Sequence, residues 1–240
     1  MFSFFFKKAK TDTIPLRVDI HSHLIPSIDD GVTSFENSLE VILQLQDAGY
    51  KKIITTPHVI SDTYKNTPEI ILGGLKKLRE FLGNRQIEIT IEAAAEYYLD
   101  TWLINEANSG NSMLTFGDKF FLFEMNYITE PYQLNDFIFS LSTKGYKPVL
   151  AHPERYQFMT LEKAEDLRQR GVLLQMNMLS LIGFYSKPVQ SMATKLVDKG
   201  YVDFLGSDCH NLRQASLIRE VHKNKYFKKA MNLPLYNHTL

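Results

Sequence analysis

From residue 17 onward, short runs rich in β-branched and aromatic residues alternate with longer stretches of helical periodicity, and this rhythm restricts the fold more than any other feature. Residues 17–21 read as the first strand. Residues 34–48 read as a helix with apolar Phe35, Leu39, Ile42 and Leu43, ended by Gly49. Strands follow at 52–56 and 87–93, separated by a helix that Thr67-Pro68 opens and Gly83-Asn84 stops. The alternation continues through strand 120–124, helix 131–143, strand 148–151, helix 161–170, strand 172–176, helix 187–199 and strand 203–206. The stretch 97–115 reads as a loop with one short helix around 102–107, and 211–230 as a helix closing the outer ring. Strands separated by helices build parallel βαβ units. Seven of them in one chain favour a closed or nearly closed α/β barrel of the TIM type over two domains. Residues 1–15 then form an N-terminal extension and residues 16–240 a single barrel domain.

Charge and cysteine usage narrow the function. The 27 basic and 27 acidic residues cancel, which removes the long-range field of a nucleic-acid or anionic-membrane binder, so an anionic substrate must be held locally. No apolar run approaches about 18 residues, and no transmembrane helix is expected. A single cysteine excludes a disulfide framework and thiolate zinc clusters, and fits a reducing cytoplasm. The opening Met1-Phe2-Ser3-Phe4-Phe5-Phe6-Lys7-Lys8 puts its charges after a very short apolar run, the reverse of a secretory signal, and reads as a frayed or self-packed terminus.

In a βα barrel the active site lies at the C-terminal ends of the strands, and ligand-type residues collect there at nearly every strand of this chain. His21 and His23 follow the first strand, His58 the second and Glu96 the third. Glu124 ends the fourth, His152 follows the fifth, and Asp208 and His210 follow the last. Five of the seven histidines fall in this set; His222 and His238 lie outside it and read as structural. Alternation along a strand puts His21 and His23 on one face, roughly 6 to 7 Å apart at their bases, so both imidazoles can converge on one cation. Asp208 and His210 repeat that spacing on the strand that lies beside the first in a closed barrel. Asp29-Asp30-Gly31 adds a carboxylate on a loop that the glycine can bend back.

Buried imidazoles and carboxylates in such number are costly unless they are paired or hold a metal. They also exceed what one ion requires, so the set points to a cluster of two or three ions, with Mn, Fe or Zn all compatible with nitrogen and oxygen donors. Adjacent divalent metals about 3.5 to 4 Å apart are the usual apparatus for in-line displacement at phosphorus, which makes phosphate-ester hydrolysis the natural reaction class. Cys209 sits between two ligand positions, lacks the phosphate-cradling loop of thiol phosphatases and has Ala215 where their arginine would stand. It reads as structural. Tyr97, Tyr98, Trp102, Tyr127, Tyr132 and Tyr156 form an aromatic group near the rim, equally suited to seating an aryl ring or to packing loops.

Taken in order, Asp19-Ile20-His21-Ser22-His23, Asp29-Asp30-Gly31, Thr56-Pro57-His58, Glu96, Phe123-Glu124, the run Ala151 to Tyr156 and Ser207-Asp208-Cys209-His210-Asn211 resemble the polymerase-and-histidinol-phosphatase (PHP) superfamily. The Asp-Asp-Gly and the HPERY run are similar to those of the bacterial capsule-type, metal-dependent protein tyrosine phosphatases. The resemblance covers about residues 16 to 215. It implies a distorted (β/α)7 barrel, a trinuclear site often manganese-dependent, and phosphotyrosine substrates on the tail of a bacterial tyrosine kinase that controls polysaccharide export. Carried over by position, it assigns His21, His23, Glu96 and Asp208 to one metal. Glu96 would bridge to a second ion held by Glu124 and His152, and Asp30, His58 and His210 would hold the third. Arg155 matches the arginine that grips phosphate, and Arg213 is the nearest candidate for a second.

The function expected is therefore a cytoplasmic, metal-dependent protein tyrosine phosphatase that hydrolyses phosphotyrosine with a metal-activated hydroxide, Mn being the first choice of metal. Two alternatives stay open: a small-molecule phosphatase such as a histidinol phosphatase, or a metal-stabilised module that docks a kinase without turnover.

Overall fold

The computed structural model describes residues 15–109 and 111–240; the predicted N-terminal extension lies, but for its last residue, outside the described residues. Strand and helix alternate as the periodicity predicts: β1 (Val18–Asp19), α1 (Phe35–Asp47), β2 (Lys52–Thr55), β3 (His58–Val59), α2 (Pro68–Gly83), β4 (Thr90–Ala93), β5 (Glu96–Tyr98) and α3 (Thr101–Ser109). The second half continues with β6 (Phe120–Glu124), α4 (Leu134–Thr143), β7 (Lys147–Ala151), α5 (Leu161–Gln169), β8 (Leu173–Asn177), α6 (Lys187–Lys199), β9 (Phe204–Gly206), α7 (Leu212–Ser216), α8 (Ile218–Lys223) and α9 (Lys225–Ala230). Ser34, Thr67, Thr160 and Ser186 cap α1, α2, α5 and α6, each side chain accepting from a backbone N–H of the first turn. Buried Ile71, Leu75, Leu78 and Leu82 mark the inward stripe of α2. Among the described residues, no helix is long and apolar enough to cross a membrane.

The strands form a curled, wholly parallel arrangement of two sheets, ordered β1-β2-β4 and β3-β5-β6-β7-β8-β9. The predicted strands 52–56 and 87–93 are β2 and β4; after breaks at Thr56-Pro57 and Ala94-Ala95 come two short strands outside that reading, β3 and β5, the latter running into the stretch 97–115 read as a loop. Pro57 has no N–H to give to a ladder, which accounts for the first break. Backbone bonds outside the ladders join the pieces: Ala94 donates to Thr55 at 2.9 Å, Glu96 to Pro57 at 3.1 Å and Thr56 to Ser22 at 2.7 Å. At the seam between β1 and β9, Asp208 N–H donates to His21 at 2.8 Å and His23 N–H to Cys209 at 2.9 Å. The buried Asp19 carboxylate fastens the same seam, accepting from Ser207 N–H at 2.8 Å and Ser207 Oγ at 2.6 Å.

Alternation carries the enclosed face of the strands from apolar to polar. Phe120 and Leu122 are followed by Glu124 on β6, Leu173 by Gln175 and Asn177 on β8, and Phe204 by Gly206 and Asp208 at β9. The lower positions join Val18, Ile20, Ile54, Val149 and Ala151 in an apolar plug. A larger cluster fills the space between strands and helices.

The predicted helix over 211–230 is instead three short ones. The chain extends at Asn224, whose side chain accepts from Tyr226 N–H and so competes with the helical ladder.

Candidate functional site

The side chains predicted at separate strand ends meet at one end of the sheet. His21 Nε2 lies 3.1 Å from Glu96 Oε2 and 3.5 Å from Asp208 Oδ1. His23 Nε2 lies 3.5 Å from the same Glu96 oxygen and 3.4 Å from the same Asp208 oxygen. Glu96 also faces outward: its Oε1 is 3.0 Å from His152 Nε2, and its Oε2 is 3.1 Å from His58 Nδ1. Glu124 stands 3.2 Å from His58 Nδ1 and 3.8 Å from His152 Nε2. Asp30, half-exposed at the mouth, places Oδ1 3.5 Å from His58 Nε2 and 3.4 Å from His210 Nε2. Ligand atoms thus gather in three groups: His21, His23 and Asp208; His58, Glu96 and Glu124; and His23, Asp30, His58 and His210. His58 straddles the last two groups, and His152 approaches through Glu96.

Local backbone geometry aims these groups. His152 and Asp208 adopt the left-handed region, with φ of 35° and 51°, which is costly for residues bearing a Cβ and turns each strand end abruptly toward the rim. Gly206 is required by close approach: a Cβ there would stand 2.7 Å from His21 Cβ and 2.7 Å from Gln175 Nε2. His21 Nδ1 donates to Gln175 Oε1 at 2.8 Å and His23 Nδ1 to Asp29 Oδ2 at 2.8 Å, which leaves both Nε2 atoms free to face the shared centre.

The electrostatics call for positive charge. Burial disfavours an imidazolium at His21, yet the Glu96 and Asp208 carboxylates outweigh it and raise His21 to about 9. His23 is also raised well above its ordinary value, burial being overcome chiefly by Asp29. Glu96 and Asp208 are held well below the usual carboxylate range, in each case against burial and first by His21. Asp29, likewise buried, is drawn down to about 2 by His23. Despite their short separation, neither His58 Nδ1 nor Glu96 Oε2 has a partner of hydrogen-bond geometry. Buried donor atoms left unpaired normally cost about 1–3 kcal/mol each, and that cost is met if both face a cation. The donor set, nitrogen and carboxylate oxygen without thiolate, therefore fits divalent metal ions.

Beside this cluster opens a cavity of about 540 Å³, walled by Tyr64, Tyr98, Tyr127, His152, Arg155, Tyr185, Asp208 and His210 among others. Arg155 ends a short 3₁₀ turn, Pro153–Arg155, directly after the strained His152. Its Nη1 donates to Asp208 Oδ2 at 3.1 Å, and its guanidinium lies 4.7 Å from the Tyr127 ring and 4.5 Å from the Tyr185 ring. Stacked between two rings, the fork keeps its plane while leaving donors for an anion. Arg213 does not line this cavity; it is exposed on α7, 5.7 Å from the Phe184 ring, while Asn211 and Gln214 take the wall positions. Cys209 is fully buried, and burial pushes its thiol up, away from a reactive thiolate.

Several supporting residues escape a reading of strand-end motifs. Gln175 and Asn177 link His21 to Asp208: Gln175 Nε2 donates to Asn177 Oδ1 at 2.9 Å, and Asn177 Nδ2 to Asp208 Oδ2 at 2.6 Å. Their signal was two polar residues at alternate positions in an apolar strand. Asp29 accepts from His58 N–H at 3.0 Å as well as from His23. Tyr185 Oη donates to Asp208 Oδ2 at 3.2 Å from a loop with no local signature.

A curled parallel α/β sheet with imidazoles and carboxylates massed at its C-terminal rim defines a rim-site protein whose donors fit metal binding. The chain belongs to the capsular polysaccharide synthesis family CpsB/CapC, whose family model matches residues 17–232. Among curated relatives it is similar to the tyrosine-protein phosphatase YwqE of Bacillus subtilis, 28% identical over 199 residues, covering 82% of this chain and 78% of that protein. It is also similar to the tyrosine-protein phosphatase CpsB of Streptococcus agalactiae, 24% identical over 202 residues, covering 81% and 83%. A structure from the crystallographic description of B. subtilis YwqE and Streptococcus pneumoniae CpsB as unique metal-dependent tyrosine phosphatases aligns with a TM-score of 0.77 at 26% identity, covering 89% of this chain and 84% of that one.

Proposed function

We propose that this protein is a metal-dependent tyrosine-protein phosphatase of capsule or exopolysaccharide synthesis. The observation that carries the reading is the unpaired, facing couple His58 Nδ1 and Glu96 Oε2 at the heart of a histidine–carboxylate cluster, beside a cavity in which Arg155 is fixed between two aromatic rings. Family membership and the named relatives support it. His21, His23, Asp30, His58, Glu96, Glu124, His152, Asp208 and His210 are the residues proposed to hold two or three ions, Mn first, with Fe and Zn also suited to the donors. Divalent ions bound there supply Lewis-acid activation of water and charge neutralisation at phosphoryl oxygens.

The chain's own groups do the rest. Arg155 presents a bidentate fork to two nonbridging phosphoryl oxygens and meets the charge that builds on them during in-line displacement. Tyr127 and Tyr185 keep that fork oriented. A phenolate leaving group, with a parent pKa near 10, needs little proton donation, so no dedicated strong acid is required. Phosphotyrosine on a bacterial tyrosine kinase is the proposed substrate, in a reducing cytoplasm suited to the lone cysteine. The same reading takes residues 16–240 as one domain and the two sheets as a single distorted (β/α)7 barrel, supported by the backbone bonds across the β1–β9 seam.

The test is hydrolysis of p-nitrophenyl phosphate and a phosphotyrosine peptide after reconstitution with Mn, Fe or Zn. Turnover abolished by chelator, restored by metal and indifferent to iodoacetamide is expected. Activity that survives chelation but not alkylation would overturn the reading in favour of Cys209.

A further inference from the structure

A second concavity adjoins the catalytic cavity. It measures about 360 Å³ and is lined by Val59, Ile60, Lys65, Thr67 and Trp102 among others; Ile60 belongs to the walls of both. The partition between them is a tight turn in which Ile60 and Tyr64 exchange two backbone hydrogen bonds, each of 3.0 Å, with Tyr64 facing the catalytic side. Asp100 makes this turn and α3 one unit. Its Oδ2 accepts from Ser61 N–H at 3.3 Å, and its Oδ1 caps Leu103 N–H at 2.8 Å. Trp102, on the first turn of α3, is therefore held at a fixed place relative to the cavity, with 40% of its surface exposed to the groove and solvent.

A large aromatic left half-open in a concave, mainly apolar wall is the kind of surface that anchors a partner side chain. A tyrosyl phosphate entering the cavity toward Arg155 brings its main chain to the mouth, and a peptide continuing over the Ile60–Tyr64 turn meets this groove next. We propose that the groove is a subsite for an apolar side chain flanking the phosphotyrosine, with Trp102 as a specificity-determining residue; the proposal rests on the phosphatase reading. Continuity through Ile60 with the catalytic cavity makes the occupant a segment of the substrate peptide.

The experiment compares three substrates on the Mn-loaded protein: p-nitrophenyl phosphate, a phosphotyrosine peptide with leucine flanks, and the same peptide with glycine flanks. The leucine peptide is expected to exceed the glycine peptide in kcat/KM by roughly tenfold, the effect of partly burying one aliphatic side chain. Trp102→Ala should bring that ratio close to one while p-nitrophenyl phosphate, which ends at its ring, retains its rate; Trp102→Phe should restore most of the preference. Because Trp102 is the sole tryptophan, its emission gives a readout apart from turnover: saturable change with a non-hydrolysable phosphonomethyl-phenylalanine peptide bearing leucine flanks, and little with glycine flanks. A wild type without flank preference overturns the proposal. So does a Trp102→Ala variant that slows all three substrates alike, or emission that changes with protein concentration alone, the mark of a second copy in the groove. Failure of the wild type to hydrolyse any of the three under Mn, Fe and Zn would instead remove the phosphatase reading, and the subsite with it.

Discussion

Glu96 Oε2 and His58 Nδ1 lie 3.1 Å apart in the protein interior with no hydrogen-bond partner for either. Glu96 also touches His21 and His152. Glu96→Gln keeps the shape and removes the charge that draws cations. It is expected to lower metal content and to reduce turnover by about two orders of magnitude or more, exceeding the loss typical of an outer-shell partner. Chelator should lower the Tm of the wild type by the stabilisation that metal binding contributes, about 2.7 kcal/mol at a hundredfold excess over Kd, and shift the variant much less. Elemental analysis and melting curves check both. Full metal content in the variant would remove Glu96 from the centre of the site.

Of the two arginines, Arg155 lines the cavity and Arg213 does not. Arg155→Ala should retain metal and lose about 10² to 10³-fold in turnover, in the manner of a lost oxyanion-hole donor. Arg155→Lys should recover little, since a lysine offers neither a fork nor a plane to stack between Tyr127 and Tyr185. Arg213→Ala, removing an exposed side chain above Phe184, should cost about an order of magnitude less than Arg155→Ala. Comparable losses at the two positions would return Arg213 to the chemistry.

Gly206 fixes the distance between β9 and the first histidine. Gly206→Ala forces a methyl group against His21 and Gln175 and should destabilise by roughly 1–3 kcal/mol, with weaker metal retention. Gly73→Ala is the matched control. A Cβ there meets nothing within 4 Å inside α2, so the change should stabilise by about 0.4–1 kcal/mol. Denaturant midpoints of the two variants should move in opposite directions. A Gly206→Ala protein as stable as the wild type contradicts the close approach.

His222 stacks on Phe227 at 4.6 Å, remote from the rim, and burial holds its pKa below the ordinary value. The unfolded chain takes up this proton near pH 6.5 and the folded chain only at lower pH. Between those values the unfolded state binds more protons, so stability falls as pH drops below about 6.5 and the contribution is complete above it. With chelator present throughout, to exclude metal release, His222→Gln should lose less Tm than the wild type on going from about pH 7.5 to about 5.5. Parallel losses would show that His222 does not contribute to the acid sensitivity.

Much of this architecture was legible residue by residue. Strand alternation and helix periodicity are local, so the order of elements and the placing of His21, His23, Glu124 and Asp208 at strand ends could be read directly. Misreadings arose where a side chain competes with the backbone or a residue lacks a donor. Asn224 splits the C-terminal helix, and beyond Pro57 the chain resumes as β3, a strand that the reading of 52–56 did not include. Arg213 lies close in sequence to His210, yet the first turn of α7 puts Asn211 and Gln214, not Arg213, on the cavity wall.

The sequence by itself determined that ligand-type groups stand at the strand ends, and on β6 and β9 the period-two alternation already carries Glu124 and Asp208 onto the enclosed face. Only the tertiary structure decided how those groups are held. Gln175 reaches His21 across 154 residues of chain, Asn177 reaches Asp208 across 31, and Tyr185 closes over Arg155 from a loop. Such contacts depend on the curl of the sheet and on hydrogen-bond directions between distant segments, and these exist only once the strands have packed side by side.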